Sequence, residues 1–258
     1  MTEPVLVQEK HGAVLVLRLN RPEARNALNS ELINALGLAL EEAEQSPEVN
    51  CVVLTGTGDR AFCSGMDLRS FSEGGTPSAE GRRGAEVFGR FSRGEIEVPI
   101  VGAANATAVA GGFELLLNCD VVVASEQAKF GLPEVKRGLF AAGGGVFLST
   151  RIPLALALEL TLTGDPIDAS RAYQLGLVNQ VVPADKVLES AIAFAERIAA
   201  NGPLALKATK KLVRTAITDY AKASSLLTEL VPQVFNSNDA KEGAKAFVER
   251  RAPVWTGS

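Results

Sequence analysis

The sequence predicts a mixed α/β body followed by an all-helical tail, and three observations carry that expectation. Short Val- and Leu-rich runs bounded by Gly, Pro and Asn recur through the earlier part of the chain. Stretches with apolar residues three and four positions apart lie between them. After Gly164 only the second pattern continues, so the chain is expected to be almost wholly helical from there.

In order, residues 13–19 (AVLVLRL) alternate as a strand does, and Asn20-Arg21-Pro22 ends it. Asn29 or Ser30 can cap a helix through Glu44, with Leu32, Leu36 and Leu40 on one face. Residues 52–55 read as a buried strand, whereas residues 61–68 (AFCSGMDL) are too short and irregular for either element. Residues 69–95, rich in Gly, Ser, Glu and Arg, suggest a mobile surface segment with one short helix near its end. Such a segment suits a lid or binding loop, or a plain surface excursion. A strand at 99–104, a helix at 111–119 and a strand at 121–124 follow. The tail reads as helices over 184–200, 203–217, 221–235 and 239–250, with Asn201-Gly202-Pro203 as a stop and restart. Its many Leu, Ala and Val side chains call for something to pack against, so self-association is expected.

Composition excludes several function classes. A net charge of -4 leaves no basic surplus for nucleic acid or a membrane surface, and no apolar run is long enough to span a bilayer. The three cysteines, Cys51, Cys63 and Cys119, form no C-x-x-C pair, and the N-terminus does not read as a secretory signal; both predict a reducing, cytoplasmic compartment with free thiols. His11 is the only histidine and lies beside Gly12 in a turn-like position, so a metal centre or a Ser-His or Cys-His pair is not expected.

Two motifs have competing explanations. Gly56-x-Gly58-x-x-Ala61 matches a dinucleotide fingerprint, but residues 62–68 show no helical stripe and the acidic-ended second strand is missing. Lys207, Lys210, Lys211 and Arg214 line one helix face, which is ordinarily solvated and less often binds phosphate.

The unusual feature is a pair of acids. Glu114 stands inside Gly-Gly-Phe-Glu-Leu-Leu-Leu, and Glu134 follows Phe-Gly-Leu-Pro. Burial raises a carboxyl pKa toward neutrality, and two such groups facing one cavity would suit proton transfer. The duller alternatives are a buried Glu114 paired with a Lys or Arg, and a Glu134 that merely starts a helix. Gly111-Gly112 opening a helix, together with the turn Ser64-Gly65-Met66-Asp67, could present two peptide N–H groups to one oxygen. Such an oxyanion hole removes ~3 kcal/mol or more from an enolate-like barrier. Tight packing at Gly111 and a simple turn at Gly65 explain the same residues. The run Gly143-Gly144-Gly145 again lets backbone or ligand come close.

Asn20-Arg21-Pro22…Asn26-Ala27-Leu28, residues 61–68, Ala110-Gly111-Gly112-Phe113-Glu114-Leu115 and Phe130-Gly131-Leu132-Pro133-Glu134 together resemble the crotonase (enoyl-CoA hydratase/isomerase) superfamily. Leu162-Thr163-Gly164, Gly176-Leu177-Val178 and Glu242-Gly243…Ala246-Phe247 extend the likeness over essentially the whole chain, nearest the carnitinyl-CoA dehydratase-like and actinobacterial hydratase branches.

The resemblance implies an acyl-CoA-binding spiral of ββα repeats over residues 1–200 and a helical trimerisation region over 201–258, assembled as a homotrimer or a dimer of trimers. It implies a thioester carbonyl between the N–H groups of Met66 and Gly111. Glu114 would deprotonate water for attack at Cβ, and Glu134 would exchange the proton at Cα. Coenzyme A, as part of the substrate, would meet Ala24, Arg25, Ala27, Ser64, Asp67 and Leu68, with Phe247 and Arg250 reaching the CoA of a neighbouring subunit. Arg250 stands where lysine is frequent, and keeps the positive charge.

The implied activity is that of a hydro-lyase of lipid metabolism, an enoyl-CoA hydratase, with no cofactor or metal. Isomerisation, a carnitinyl-type dehydration and an inactive acyl-CoA-binding scaffold are its rivals. Isomerases of the family often keep only the acid matching Glu134, so the presence of Glu114 argues for adding or removing water. Leu139-Phe140-Ala141-Ala142-Gly143-Gly144 departs from the family's Ile-Pro-Gly-Ala-Gly-Gly and leaves the acyl group open.

Overall fold

The computed structural model describes residues 3–67 and 79–258, with the backbone alone at 79–81. A six-stranded sheet runs in the order β1 (Leu6–His11), β2 (Val14–Leu19), β3 (Cys51–Gly56), β4 (Ile100–Ala104), β6 (Val121–Ser125) and β9 (Gln180–Val182). A smaller sheet joins β5 (Ala108–Val109), β7 (Lys129–Gly131) and β8 (Ile167–Asp168). The chain passes from the first sheet to the second as β4 leads to β5 and again as β6 leads to β7, with a helix after each pair. These are the turns of a ββα spiral. From β2 onward the large sheet is parallel, and β3 and β4 are buried at every position. That is why they read as unbroken apolar runs rather than alternating ones.

The helices are α1 (Ser30–Gln45), α2 (Ala79–Ser92), α3 (Gly111–Asn118), α4 (Leu154–Thr163), α5 (Ala169–Gln174), α6 (Val187–Ala199), α7 (Pro203–Thr218), α8 (Tyr220–Phe235) and α9 (Asn238–Glu249). Asn29 caps α1 by accepting from Leu32 N–H at 2.9 Å, and Leu32, Leu36 and Leu40 are buried as their spacing predicts. Burial of each contributes roughly 2 kcal/mol.

Several expectations need correction. The helix expected to be short near residue 95 runs for 14 residues. It packs on α1 so closely that a Cβ on Gly37 would collide with the Gly84 backbone, and Val87 and Phe91 are buried beneath it. The mobility expected for residues 68–78 lies outside the described residues. The region after Gly164 is not wholly helical, because β8 and β9 complete the two sheets. Their brevity, with partly exposed residues, hid them from an alternation test. β1 was also missed, and His11 is its last residue, exposed and 3.8 Å from Glu9.

The basic face of α7 is solvated only at Lys211, which stands exposed 3.6 Å from Glu97. Lys210 is almost wholly buried and pairs with Asp120 at 2.7 Å, Arg214 meets the same carboxylate at 2.7 Å, and Lys207 donates to the Glu44 carbonyl. Those side chains dock the tail on the body. Beyond α7, Tyr220, Leu227, Phe235, Phe247 and Val248 stand exposed. Among the described residues no helix is long and apolar enough to cross a membrane.

Candidate active site

The two glycine turns meet. Leu28 forms a parallel bridge with Met66, its N–H donating to Gly65 O at 2.8 Å and its carbonyl accepting from Asp67 N–H at 2.9 Å. In parallel pairing one residue takes both bonds, so the Met66 N–H turns to the opposite side. Gly111 begins α3 on that side, and as the first residue of a helix its N–H has no acceptor within it. A Cβ placed on Gly111 would lie 3.7 Å from the Met66 nitrogen, and one on Gly65 would lie 3.1 Å from the Gly111 nitrogen. The turn into α3 is made by Ala110 at φ 51, ψ -132, a sparsely populated conformation for a residue with a side chain. Its N–H is tied to Gly131 O at 2.9 Å, which fixes it against β7. Gly112 allows the helix to press on the Cys63 carbonyl, where any Cβ would clash.

Glu114, in the first turn of α3, is 6% exposed. Its Oε1 accepts from the Gly145 N–H at 2.9 Å, so the glycine run brings backbone, not a side chain, to the carboxylate. No Lys or Arg pairs with it among the described residues. Burial pushes its pKa above the ordinary carboxylate value; the Gly145 N–H opposes this, the Glu134 charge adds to it, and the Gly143 N–H opposes it. Glu134 lies in the 3-10 turn Pro133–Arg137. Both of its carboxylate oxygens are buried, and neither finds a hydrogen-bond partner from another described residue. Burial raises its pKa as well, against its own backbone N–H and Arg137. The Glu134 charge therefore bears on Glu114, and neither acid forms an ion pair among the described residues.

Beside this wall, the segment carrying Ala24, Arg25 and Ala27 is clamped to the one carrying Ser64 and Asp67. Ser64 N–H donates to Arg25 O at 3.1 Å, and Arg21 bonds both Ala27 O at 2.5 Å and Asp67 at 3.1 Å. Arg25 and Asn26 both have φ 54. Buried Asn26 holds them there, donating to Thr57 O and Ala61 O and accepting from Arg21 N–H. Arg21 and Asn26 belong to the quoted motif but were not expected as site residues; a polar residue destined for full burial was the signal. Leu68 lies outside the described residues. Phe247 is 86% exposed, and Arg250 ends α9 with φ 55, so this single chain leaves both turned to its surface.

Residues 57–67, which follow Gly56, form no helix. A Cβ on Gly56 would sit 2.5 Å from Phe62 O, so the first glycine serves close packing and not a dinucleotide. No cluster of three metal-ligating side chains occurs among the described residues. The cysteines are free and buried, with their thiols pushed up to about 12 chiefly by burial. A cavity of about 850 Å3 lies elsewhere, against Asn118, Gly144, Leu148, Lys210 and Arg214, and touches neither acid.

A spiral of ββα turns, with the Gly65–Met66 turn packed on the start of α3 and two carboxylates withdrawn from water nearby in the sequence of elements, defines a crotonase-type protein. A profile of the Enoyl-CoA hydratase/isomerase family matches residues 9–258, and the chain belongs to that family. It is similar to the enoyl-CoA hydratase EchA19 of Mycobacterium tuberculosis, 38% identical over 97% of this chain and 96% of that protein. The carnitinyl-CoA dehydratase of Salmonella typhi is 35% identical over 96% of this chain and 97% of its own length. A crystal structure of enoyl-CoA hydratase from Mycobacterium tuberculosis H37Rv superposes with a TM-score of 0.89 at 43% identity, covering 99% of this chain and all of that one. The fold and the two branches implied by the sequence resemblance are both found.

Proposed function

We propose that the protein is an enoyl-CoA hydratase, adding water reversibly and syn to a trans-2-enoyl-CoA to give a 3-hydroxyacyl-CoA. The observation that carries this reading is the pair Glu114 and Glu134, carboxylates withdrawn from water with no ion pair among the described residues, in a chain whose Gly65–Met66 turn packs on Gly111. The thioester oxygen accepts from those two donors, which stabilise the enolate as it forms. The Glu114 carboxylate takes a proton from water while the water oxygen bonds to Cβ. The electron pair of the double bond moves toward the thioester, and Glu134 delivers its proton to Cα. One proton has entered the pair and one has left it, so the total is unchanged. Burial raises both pKa values, and the Glu134 charge adds to the rise at Glu114.

The CoA moiety meets Ala24, Arg25, Ala27, Ser64, Asp67 and Leu68 of one subunit, and Phe247 and Arg250 of its neighbour. Residues 1–200 form the acyl-CoA-binding core, and residues 201–258 make the contacts of a trimer or dimer of trimers. The exposed Tyr220, Leu227 and Phe235 support that assembly. The reaction needs no metal and no redox cofactor, and a cytoplasmic setting suits the free thiols.

Dehydration of a carnitinyl-type acyl-CoA is the second reading, favoured by the carnitinyl-CoA dehydratases among the relatives. Loss of enoyl-thioester absorbance with crotonyl-CoA, set beside longer, branched and carnitinyl substrates, separates the readings. Turnover of only the carnitinyl substrate selects the second, and a shifted double bond without hydration selects isomerisation. Binding of the whole panel without turnover sinks all three in favour of a scaffold.

A further inference from the structure

We propose that Asn118 is a positioning residue for the proposed base, pinning the glycine run so that its N–H groups stay on the Glu114 carboxylate. This rests on the hydratase reading of the site. Asn118 closes α3 one turn beyond Glu114, and its side-chain amide is buried. Its Nδ2 donates both to the Glu114 carbonyl at 2.8 Å and to the Gly143 carbonyl at 3.1 Å. The first bond anchors the amide to the helix that carries the acid. The second fixes a carbonyl in a segment of three glycines, which otherwise has the widest backbone freedom of any sequence.

Two further observations give the pin its meaning. The glycines crowd the acid, since a Cβ on Gly143 would lie 2.6 Å from Glu114 Oε2, while Gly145 donates to Oε1. Gly144, at φ 118, packs on the Asn118 side chain and lines the 850 Å3 cavity with it. The loop therefore has space behind it, and apart from its own N–H groups on Glu114 and the Phe147 N–H on Gly144 O, the Asn118 amide is the polar group that holds it out of that space. Retreat would withdraw a donor from the ionised acid and raise its pKa.

Few other charges reach Glu114. Glu134 bears on it from the 3-10 turn, Arg90 of α2 is engaged by Glu44, and Arg151, beyond the Gly145–Thr150 turn, donates to Leu117 O.

The test compares Asn118→Leu, which removes both bonds at similar volume, with Asn118→Ser. A serine hydroxyl can still reach the carbonyl four residues back in its own helix but not Gly143. Each variant is followed by kcat and KM on crotonyl-CoA and by titration of the Glu114 side chain with 13C-glutamate NMR, the signal identified by its absence in Glu114→Gln. The expected result for both is a kcat about 10-fold lower, KM within about twofold, and a Glu114 titration moved to higher pH. An unmoved titration in a folded variant overturns the proposal, even if kcat falls, because the residue would then be merely structural. Should the leucine variant not fold, the serine variant decides alone. A wild type that hydrates nothing refutes the hydratase reading, while the titration still decides for or against the pin.

Discussion

Glu114 lies in α3 and Asp120 in the bend just after it, and both are carboxylates taken largely out of water, yet their surroundings are opposite. Asp120 accepts from Lys210, from two nitrogens of Arg214 and from the Ile100 N–H, so every lone pair facing the protein is used. Glu114 receives the Gly145 N–H and no ion-pair partner, and Glu134 receives no hydrogen bond from another described residue, only the charge of Arg137. The first arrangement joins the tail to the body. The second leaves two groups whose protonated forms are favoured, which costs stability and makes protons available. Buried charge serves fastening in one place and, on the proposed function, chemistry in the other, and the presence or absence of an ion pair tells the two surroundings apart.

The contrast predicts different failures. Asp120→Ala strands two cations against the body and should cost roughly 3–5 kcal/mol of folding stability, read as a lower denaturant midpoint, with kcat per folded molecule little changed. A large loss of kcat at full stability would place Asp120 in the chemistry. Glu114→Gln and Glu134→Gln should each lower kcat by at least about 100-fold, or roughly 2.7 kcal/mol, with the fold retained. Near-wild-type turnover in both variants would refute the acid–base assignment. Gly143→Ala should cost about 10-fold in kcat, because its Cβ would meet Glu114 Oε2.

The smallest effect concerns pH. Both acids have folded pKa values raised by burial, so their contribution to stability is present at low pH and lost as pH rises through those values. Glu134→Gln does not titrate, and its Tm should therefore exceed that of the wild type at pH 8 and lose that advantage toward pH 4. A wild type that instead gains on the variant as pH rises would mean that Glu134 has a partner holding it ionised.

How far the sequence reveals this depends on whether the deciding contact is local. The α1 cap and stripe were readable because Asn29 and the three leucines lie on one helix. The acids were conspicuous because Phe113 and Leu115–Leu117 leave a glutamate no polar company. The α7 face was misread because what neutralises Lys210 and Arg214 is Asp120, nearly a hundred positions earlier, and helical spacing carries no trace of it. Asn118 was passed over for the same reason, since its bond to Gly143 is fixed by the spiral and not by neighbouring residues. β8 and β9, two and three residues long, have no period to detect.

The Leu28–Met66 bridge has one more consequence. Because Leu28 takes both bonds, the peptide at 66 faces outward as the free edge of a ladder, and an incoming carbonyl would supply the missing rung. On the proposed function, recognition of the reacting bond is then written in main chain, which a change of side chain at 28 or 66 leaves in place unless it introduces proline. Residues lining the acyl group can drift toward new substrates while the activating geometry stays put.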